Sequence, residues 1–173
     1  MKATLVSVEE YLHSSYEPDC DYVDGELVER NVGERDHGNL QLHIAAYYLA
    51  RRRKWGVYPF IEQRVKISPT RYRVPDICLT SGWPGEQIFT NPPFVVIEVL
   101  SPEDRKSRMQ ARIDDYLSIG VRYIWVIDPK TRRVDVITAG GSYEEKTGIL
   151  RTQDPDTELP LGEIYRDIEE SLT

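Results

Sequence analysis

"FVVIEVLS" (residues 94–101) is the stretch whose reading decides the fold. Six of its first seven residues are apolar, and the exception is Glu98. A short apolar run rich in β-branched residues reads as a buried strand. An ionised carboxylate taken out of water costs several kcal/mol unless it is paired or bound to a metal. Either Glu98 lies at an exposed strand edge, or a positive charge meets it.

Downstream, "SPEDRKSRMQARIDDYLSIGV" reads as a helix. Ser-Pro and acidic residues open it, Gly120 closes it, and Met109, Ile113, Tyr116 and Leu117 form its apolar stripe. "RYIWVIDP" follows as a second buried strand, so residues 94–128 form a right-handed βαβ crossover. "RRVDVIT", "AGGS" and "YEEKTGILR" suggest a terminal hairpin, and "LGEIYRDIEESLT" a short closing helix. Upstream, residues 81–93 form a turn-rich loop carrying "WPG". "YRVPDICLT" and "VYPFIEQRVKIS" are two further strand candidates. Leu40, Ile44, Tyr47 and Tyr48 recur at helical spacing between Arg35 and Lys54, and Gly56 stops that helix. "CDYVDGELVER" places a DG pair between short strands as a tight hairpin. "SVEEYLHS" opens a short helix with Ser7 and Glu10 as a capping box. The core order is helix, three strands, helix, strand: an α/β chain with a mixed sheet flanked by helices.

The 173 residues suit one domain, and 40 % hydrophobic with 29 % charged residues fits a soluble globular protein. No apolar run reaches a membrane span, and the N-terminus lacks a signal-peptide core, so the cytoplasm is expected. Cys20 and Cys78 belong to no CxxC pair, which argues against a zinc cluster or disulfide framework. The net charge of -7 argues against binding nucleic acid through bulk charge; a local basic patch is required. The long strand pair around "GVRYIWVIDPKTRRVDVIT" leaves an edge needing cover, and a homodimer is expected.

Asp76 repeats the question posed by Glu98, since it sits in "RVPDICL" with Val74 and Cys78 at alternate positions. Pro75 removes one ladder donor, which points to an edge or a bulge. If the two strands pair, the carboxylates converge, so that one pKa rises or a divalent cation neutralises both. Hard oxygen ligands suit Mg²⁺ or Mn²⁺, which activate water for phosphodiester cleavage. The competing reading is a structural ion pair with an arginine, the commoner fate of an isolated buried carboxylate. Glu62, next to Gln63 in "IEQRVKIS", adds a ligand if its strand pairs with "RVPDICL". Arg105, Arg108 and Arg112 form either a phosphate-facing strip or a solvated face. "ARRRKWG" (50–56) offers phosphate contacts, but cations complementing a helix C-terminus explain it better. His13 and His43 show no metal-ligand spacing.

"YVDGELVER", the histidine of "ERDHGNL", "RVPDICLT", "FVVIEVLSPEDR" and "DYLSIGVRYIWVIDP" together resemble the PD-(D/E)XK nuclease superfamily. Within it, the chain is similar to the Uma-type restriction endonuclease family over about residues 7–138. The resemblance implies a restriction-endonuclease-like αβββαβ core with added hairpins at both ends, in one domain. It implies a metal-dependent endonuclease acting on nucleic acid, with DNA the expected substrate. Mg²⁺ or Mn²⁺ would sit on Asp76, Glu98 and the backbone carbonyl of Val99, and Glu26 and His37 match further family positions. The superfamily's lysine, two residues after the glutamate, is Leu100 here. The relocated family lysine, four residues before Tyr116, is Arg112. Arginine keeps the charge but cannot exchange a proton. Lys106, on the helix face of Met109 and Ile113, is the substitute candidate, against a snorkelling role. The alternative is a catalytically impaired member that binds nucleic acid or a protein.

Overall fold

Ser7 caps the first helix, α1 (Val8–His13), by accepting the Glu10 amide at 3.1 Å. The structure is a computed structural model that describes residues 5–30, 34–102 and 106–170. Strands β1 (Cys20–Val23) and β2 (Glu26–Glu29) pair around Asp24 and Gly25, both at positive φ (51° and 96°), as a DG turn requires. Helix α2 (Arg35–Trp55) ends at Gly56, whose φ of 64° and amide bond to the Arg52 carbonyl close it. Strands β3 (Val57–Ile61), β4 (Val65–Ser68), β5 (Arg71–Arg73), β6 (Ile77–Ser81) and β7 (Val95–Val99) follow. Helix α3 (Lys106–Ser118) leads to β8 (Tyr123–Ile127), β9 (Val134–Thr138), β10 (Gly141–Glu144), β11 (Ile149–Thr152), β12 (Thr157–Pro160) and α4 (Leu161–Glu170).

The main sheet has the order β10-β9-β8-β7-β6-β3, and only β7 and β8, joined through α3, run parallel within it. A four-stranded sheet, β2-β1-β5-β4, and the β11–β12 hairpin complete the fold. Side-chain alternation divides the core in two. Val95, Ile97 and Val99 of β7 join Leu40, Ile44 and Tyr48 of α2 and Ile164 and Tyr165 of α4. Val96, on the opposite face, joins Met109, Ile113 and Tyr116 of α3. By the same alternation Glu98 points to the α3 side.

Two expected strands are each broken. "VYPFIEQRVKIS" divides into β3 and β4 at Glu62, which takes a positive φ of 49°. "YRVPDICLT" divides into β5 and β6 at Val74–Asp76, so its halves enter different sheets. Pro75, unable to donate to a ladder, sits in the break. Asp76 therefore stands at a bend ahead of β6, not within a strand. The expected hairpin arm "YEEKTGILR" is also divided: its start belongs to β10, which pairs with β9, and its end to β11, which pairs with β12, a strand absent from the sequence reading. Strands β11 and β12 are four residues each, and only Leu150 and Leu159 mark a buried apolar face. The expected start of the α3 helix, including Glu103 and Arg105, lies outside the described residues.

Candidate active site

Strands β6 and β7 pair with Ile77 opposite Ile97 and Cys78 opposite Val96. One step further along that antiparallel register, Asp76 comes opposite Glu98 on the same face. The Val99 amide donates to Asp76 Oδ2 at 2.8 Å and the side chain of Gln41 to the Asp76 carbonyl at 2.9 Å, fixing the bend. Both carboxylates are buried, at 4 % and 1 % exposure, and both line a cavity of about 20 Å³ with Arg30, His37, Val99, Ser101, Met109 and Arg112. That volume holds a single water-sized occupant.

Basic groups meet both acids. Arg30 Nη2 donates to Asp76 Oδ1, and His37 Nε2 lies 3.2 Å from Oδ2. Arg112 Nη2 lies 3.0 Å from Glu98 Oε1 and donates to the Val74 carbonyl at 2.9 Å. Tyr116 Oη donates to the same Oε1 at 2.6 Å, and Glu98 Oε2 is buried without a hydrogen-bond partner among the described residues. Behind the cavity a second ion cluster ties the small sheet to α3. Arg73 donates Nη1 to Asp21 at 2.9 Å and Nε to Asp115 at 2.7 Å, while Asp21 also accepts the Val74 amide at 2.8 Å.

The two acids titrate in opposite directions. Burial pushes the Glu98 carboxyl up, with help from the Asp76 charge, and Arg112 and Tyr116 only partly offset it, leaving a value of about 7. Burial also raises Asp76, but the His37 hydrogen bond and the Arg30 and Arg112 charges outweigh it and hold this carboxyl below its ordinary range. Arg112 loses to burial and gains more from Glu98, so its charge is secure. One carboxylate is thus fixed as an anion and its neighbour is poised near neutrality, the pattern of an acid–base site.

A family model described as "Uma2: Putative restriction endonuclease" matches residues 8–169. The chain belongs to the Uma2 family. The fold of this Uma2 protein is also that of a solved structure, described as a putative nuclease belonging to DUF820 from Anabaena variabilis ATCC 29413. The two superpose with a TM-score of 0.79 at 20 % identity, over 93 % of this chain and 98 % of that one. No match is found among curated proteins.

Of the residues singled out in this Uma2 chain, Asp76, Glu98, Val99, His37 and Arg112 share one cavity. The others do not join it. Lys106 is exposed and lines the neighbouring groove over Ile113, Val126 and Ile137. Arg108 is exposed while Arg112 turns inward, so these two do not share a strip; Arg105 lies outside the described residues. Glu26 is exposed at the start of β2, four residues from Arg30, which is about 13 Å along a strand. The Glu62 side chain is half exposed and meets Arg30 at 3.7 Å outside the cavity, while its amide donates to the Asp76 carbonyl at 3.2 Å. Gln63 donates to the Gln87 and Arg64 carbonyls, a loop contact. At the C-terminus of α2, Arg52 donates to the Leu49 carbonyl, as the helix-end reading of "ARRRKWG" requires.

Sequence reasoning missed Arg30, the Tyr116 hydroxyl and the Arg73 cluster. Arg30 follows a strand of the N-terminal hairpin, and only the pairing of β1 with β5 brings that hairpin to Asp76. Tyr116 was legible as part of the apolar stripe, and its spacing from Arg112, one turn, puts both side chains on Glu98.

The cleft as arranged does not fit a divalent cation. Three of the roughly four lone-pair sites of Asp76 are taken by Arg30, His37 and the Val99 amide. Among the described residues no three His, Cys, Asp or Glu side chains converge as a metal cluster. A guanidinium already touches Asp76, and each unit of like charge at about 4 Å costs on the order of 4 kcal/mol at an effective dielectric of about 20. Among the described residues, the bare Oε2 of Glu98 is the cleft's one carboxylate oxygen without a hydrogen bond.

Proposed function

We propose that this protein is an endonuclease that hydrolyses phosphodiester bonds of nucleic acid, with DNA as substrate. The observation that carries this reading is the register placing Asp76 opposite Glu98, beside Arg30, His37 and Arg112 in one cavity. Hydrolysis forms a P–O bond from water and breaks the P–O bond to the leaving sugar oxygen. It needs an acceptor for the water proton, positive charge on the phosphoryl oxygens and a donor for the leaving oxygen. Glu98, with a carboxyl at about 7, is the candidate acceptor. Its Oε1 is held by Arg112 and Tyr116, which leaves Oε2 for the proton. Arg112 supplies a fixed positive charge to the phosphoryl group. His37, held beside Asp76, is the candidate donor to the leaving oxygen. Mg²⁺ or Mn²⁺ enters none of these steps, because the cleft as arranged has no place for it.

A cytoplasmic homodimer is part of the same proposal. Among the described residues no helix is long and apolar enough to cross a membrane.

The deciding experiment is cleavage of plasmid DNA by wild type and Asp76→Ala, each with Mg²⁺, with Mn²⁺ and with EDTA. Nicking by wild type that Asp76→Ala lacks supports the proposal. Failure of wild type under every condition overturns it and favours a second reading, a non-catalytic nucleic-acid binding module. The observation behind that second reading is that no lysine lines the cavity among the described residues: the expected positions carry Leu100 and Arg112.

A further inference from the structure

We propose that helix α2 is the seam of a homodimer, packed antiparallel against α2 of a second copy, so that the basic end of each helix reaches the mouth of the other chain's cleft. This rests on the homodimer that is part of the proposed function and names its surface.

Leu40, Ile44 and Tyr48 bury one face of α2 in the core. The opposite face carries Leu42 and Leu49, 63 % and 51 % exposed and about two turns apart. Ala46 is also exposed and lies between them on the same stripe. Leucines left in water at i and i+7 on a 21-residue helix are half of a helix–helix contact. The small side chain between them lets a second helix come close. Two such faces complement each other when the helices run in opposite directions. Pairing Leu42 with the partner's Leu49 centres the two-fold axis between Ala45 and Ala46, near the middle of α2, and overlaps the helix along its length. Gly38 then meets the partner's Arg53, and the space at Gly38 is open, since a Cβ there would meet nothing within 4 Å.

Charge selects this direction. Glu34 and Asp36 stand at the N-terminal end of α2, and Arg52, Arg53 and Lys54 fill its last turn. Arg51 is already paired with Glu163, whereas the other three meet no carboxylate among the described residues. Asp36 and Lys54 are about five full turns apart, so they lie on the same side of the helix. Antiparallel packing sets Asp36 beside the partner's Lys54, whereas a parallel pair would set like charge against like. Arg35 engages only Oδ1 of Asp36, at 2.9 Å, which leaves Oδ2 for the partner's Lys54.

The seam bears on the cleft. Asp36 and His37 line a pocket of about 140 Å³, which shares His37 and Ser101 with the Asp76–Glu98 cavity. Glu34, Asp36 and Asp128 outnumber Lys130 around it, the wrong sign for a phosphate backbone. The partner's Arg53 and the partner's Lys54 bring positive charge to that mouth. A chain of net charge -7 thereby receives the local basic patch it needs from its second copy.

The test is analytical ultracentrifugation of the full chain. Leu42→Asp and Leu49→Asp alter exposed positions, so both are expected to keep the wild-type circular dichroism and to sediment as monomers where wild type is a dimer. Lys54→Glu should weaken the dimer by about two- to fivefold per pair, and Asp36→Lys/Lys54→Glu should restore it. An equimolar mixture of Leu42→Cys and Leu49→Cys should cross-link on oxidation. Either variant alone should not, since its paired cysteines stand about 10 Å apart along the axis. Cys20 and Cys78 are buried and take no part. If the aspartate variants fail to fold, the cysteine mixture decides. A dimer that survives both aspartate substitutions, or a mixture that does not cross-link, overturns the seam and leaves the homodimer to an open edge of the main sheet. Cross-linking by Leu42→Cys alone overturns the antiparallel register. A wild-type monomer overturns the seam and the homodimer together.

Discussion

Asp76 and Glu98 face each other across β6 and β7, yet Asp76 is held by three donors while Glu98 keeps one oxygen bare. The difference sets their opposite titration, and each direction has a consequence for stability. Glu98 has its folded value raised to about 7 from 4.5, so the fold favours its neutral form. Its contribution is fully present below the unfolded value and is lost as pH rises through 7. Asp76 has its folded value lowered, so its contribution is present above 3.8 and is lost as pH falls below that. Between pH 5 and 8 only the Glu98 effect operates. Glu98→Gln, a neutral mimic, is therefore expected to melt close to wild type at pH 5 and to gain on it by pH 8. Parallel melting curves at both pH values would remove the perturbed carboxyl from the account.

The Arg73 cluster predicts a large structural effect without a catalytic one. Arg73 is the shared partner of Asp21 and Asp115, and all three are buried. Removing one member of a buried network strands the others, at a cost of about 3–5 kcal/mol. Arg73→Ala should lose about that much in urea unfolding. Arg151→Ala, which breaks an exposed pair with Glu158, should change little. Equal losses from the two would mean the cluster is no more than surface decoration.

Where the sequence was informative, one local signal sufficed. The DG turn, the Ser7 cap, the Gly56 stop and the period of α2 each rest on adjacent residues, and the structure has all four. The site was half legible for the same reason. Asp76, Glu98 and Arg112 each stand out against their own segment, as buried acids in apolar runs and a cation one turn from Tyr116. Arg30 does not stand out, since "GELVER" ends like any exposed strand. Its burial depends on β1 pairing with β5, a contact between residues about 50 apart that no local pattern encodes. Lys106 failed in the opposite way. Its spacing from Met109 and Ile113 was right, but of those two only Met109 lines both concavities, and the lysine lines the outer one with Ile113.

Assembly gives a separate prediction. Both ends of the main sheet are open: β10 at one edge and β3 at the other, beside the exposed Ile61 and Trp83. Unpaired edges with large apolar side chains invite a second copy of the chain. Light scattering should return about twice the 20.1 kDa chain mass. A monomer at tens of micromolar counts against the homodimer.

The last prediction separates Arg112 from Lys106. Arg112 touches Glu98 at 3.0 Å and its side chain is 14 % exposed, whereas Lys106 is exposed in the next groove. If the cleft cuts phosphodiesters, the charge that faces the phosphoryl group is Arg112. Arg112→Ala should then lower the cleavage rate by about 10²–10³, the usual loss for one transition-state charge partner. Part of that loss could come from misfolding, since Glu98 is left with Tyr116 alone. Arg112→Lys controls for it: lysine keeps the charge beside Glu98 but cannot also span to the Val74 carbonyl in the same fork. It should fold, and should cleave at a rate near or above wild type. Lys106→Ala should be nearly silent. A damaging Lys106→Ala with a silent Arg112→Ala would move the phosphate-facing role to the outer groove and leave Arg112 as a structural partner of Glu98.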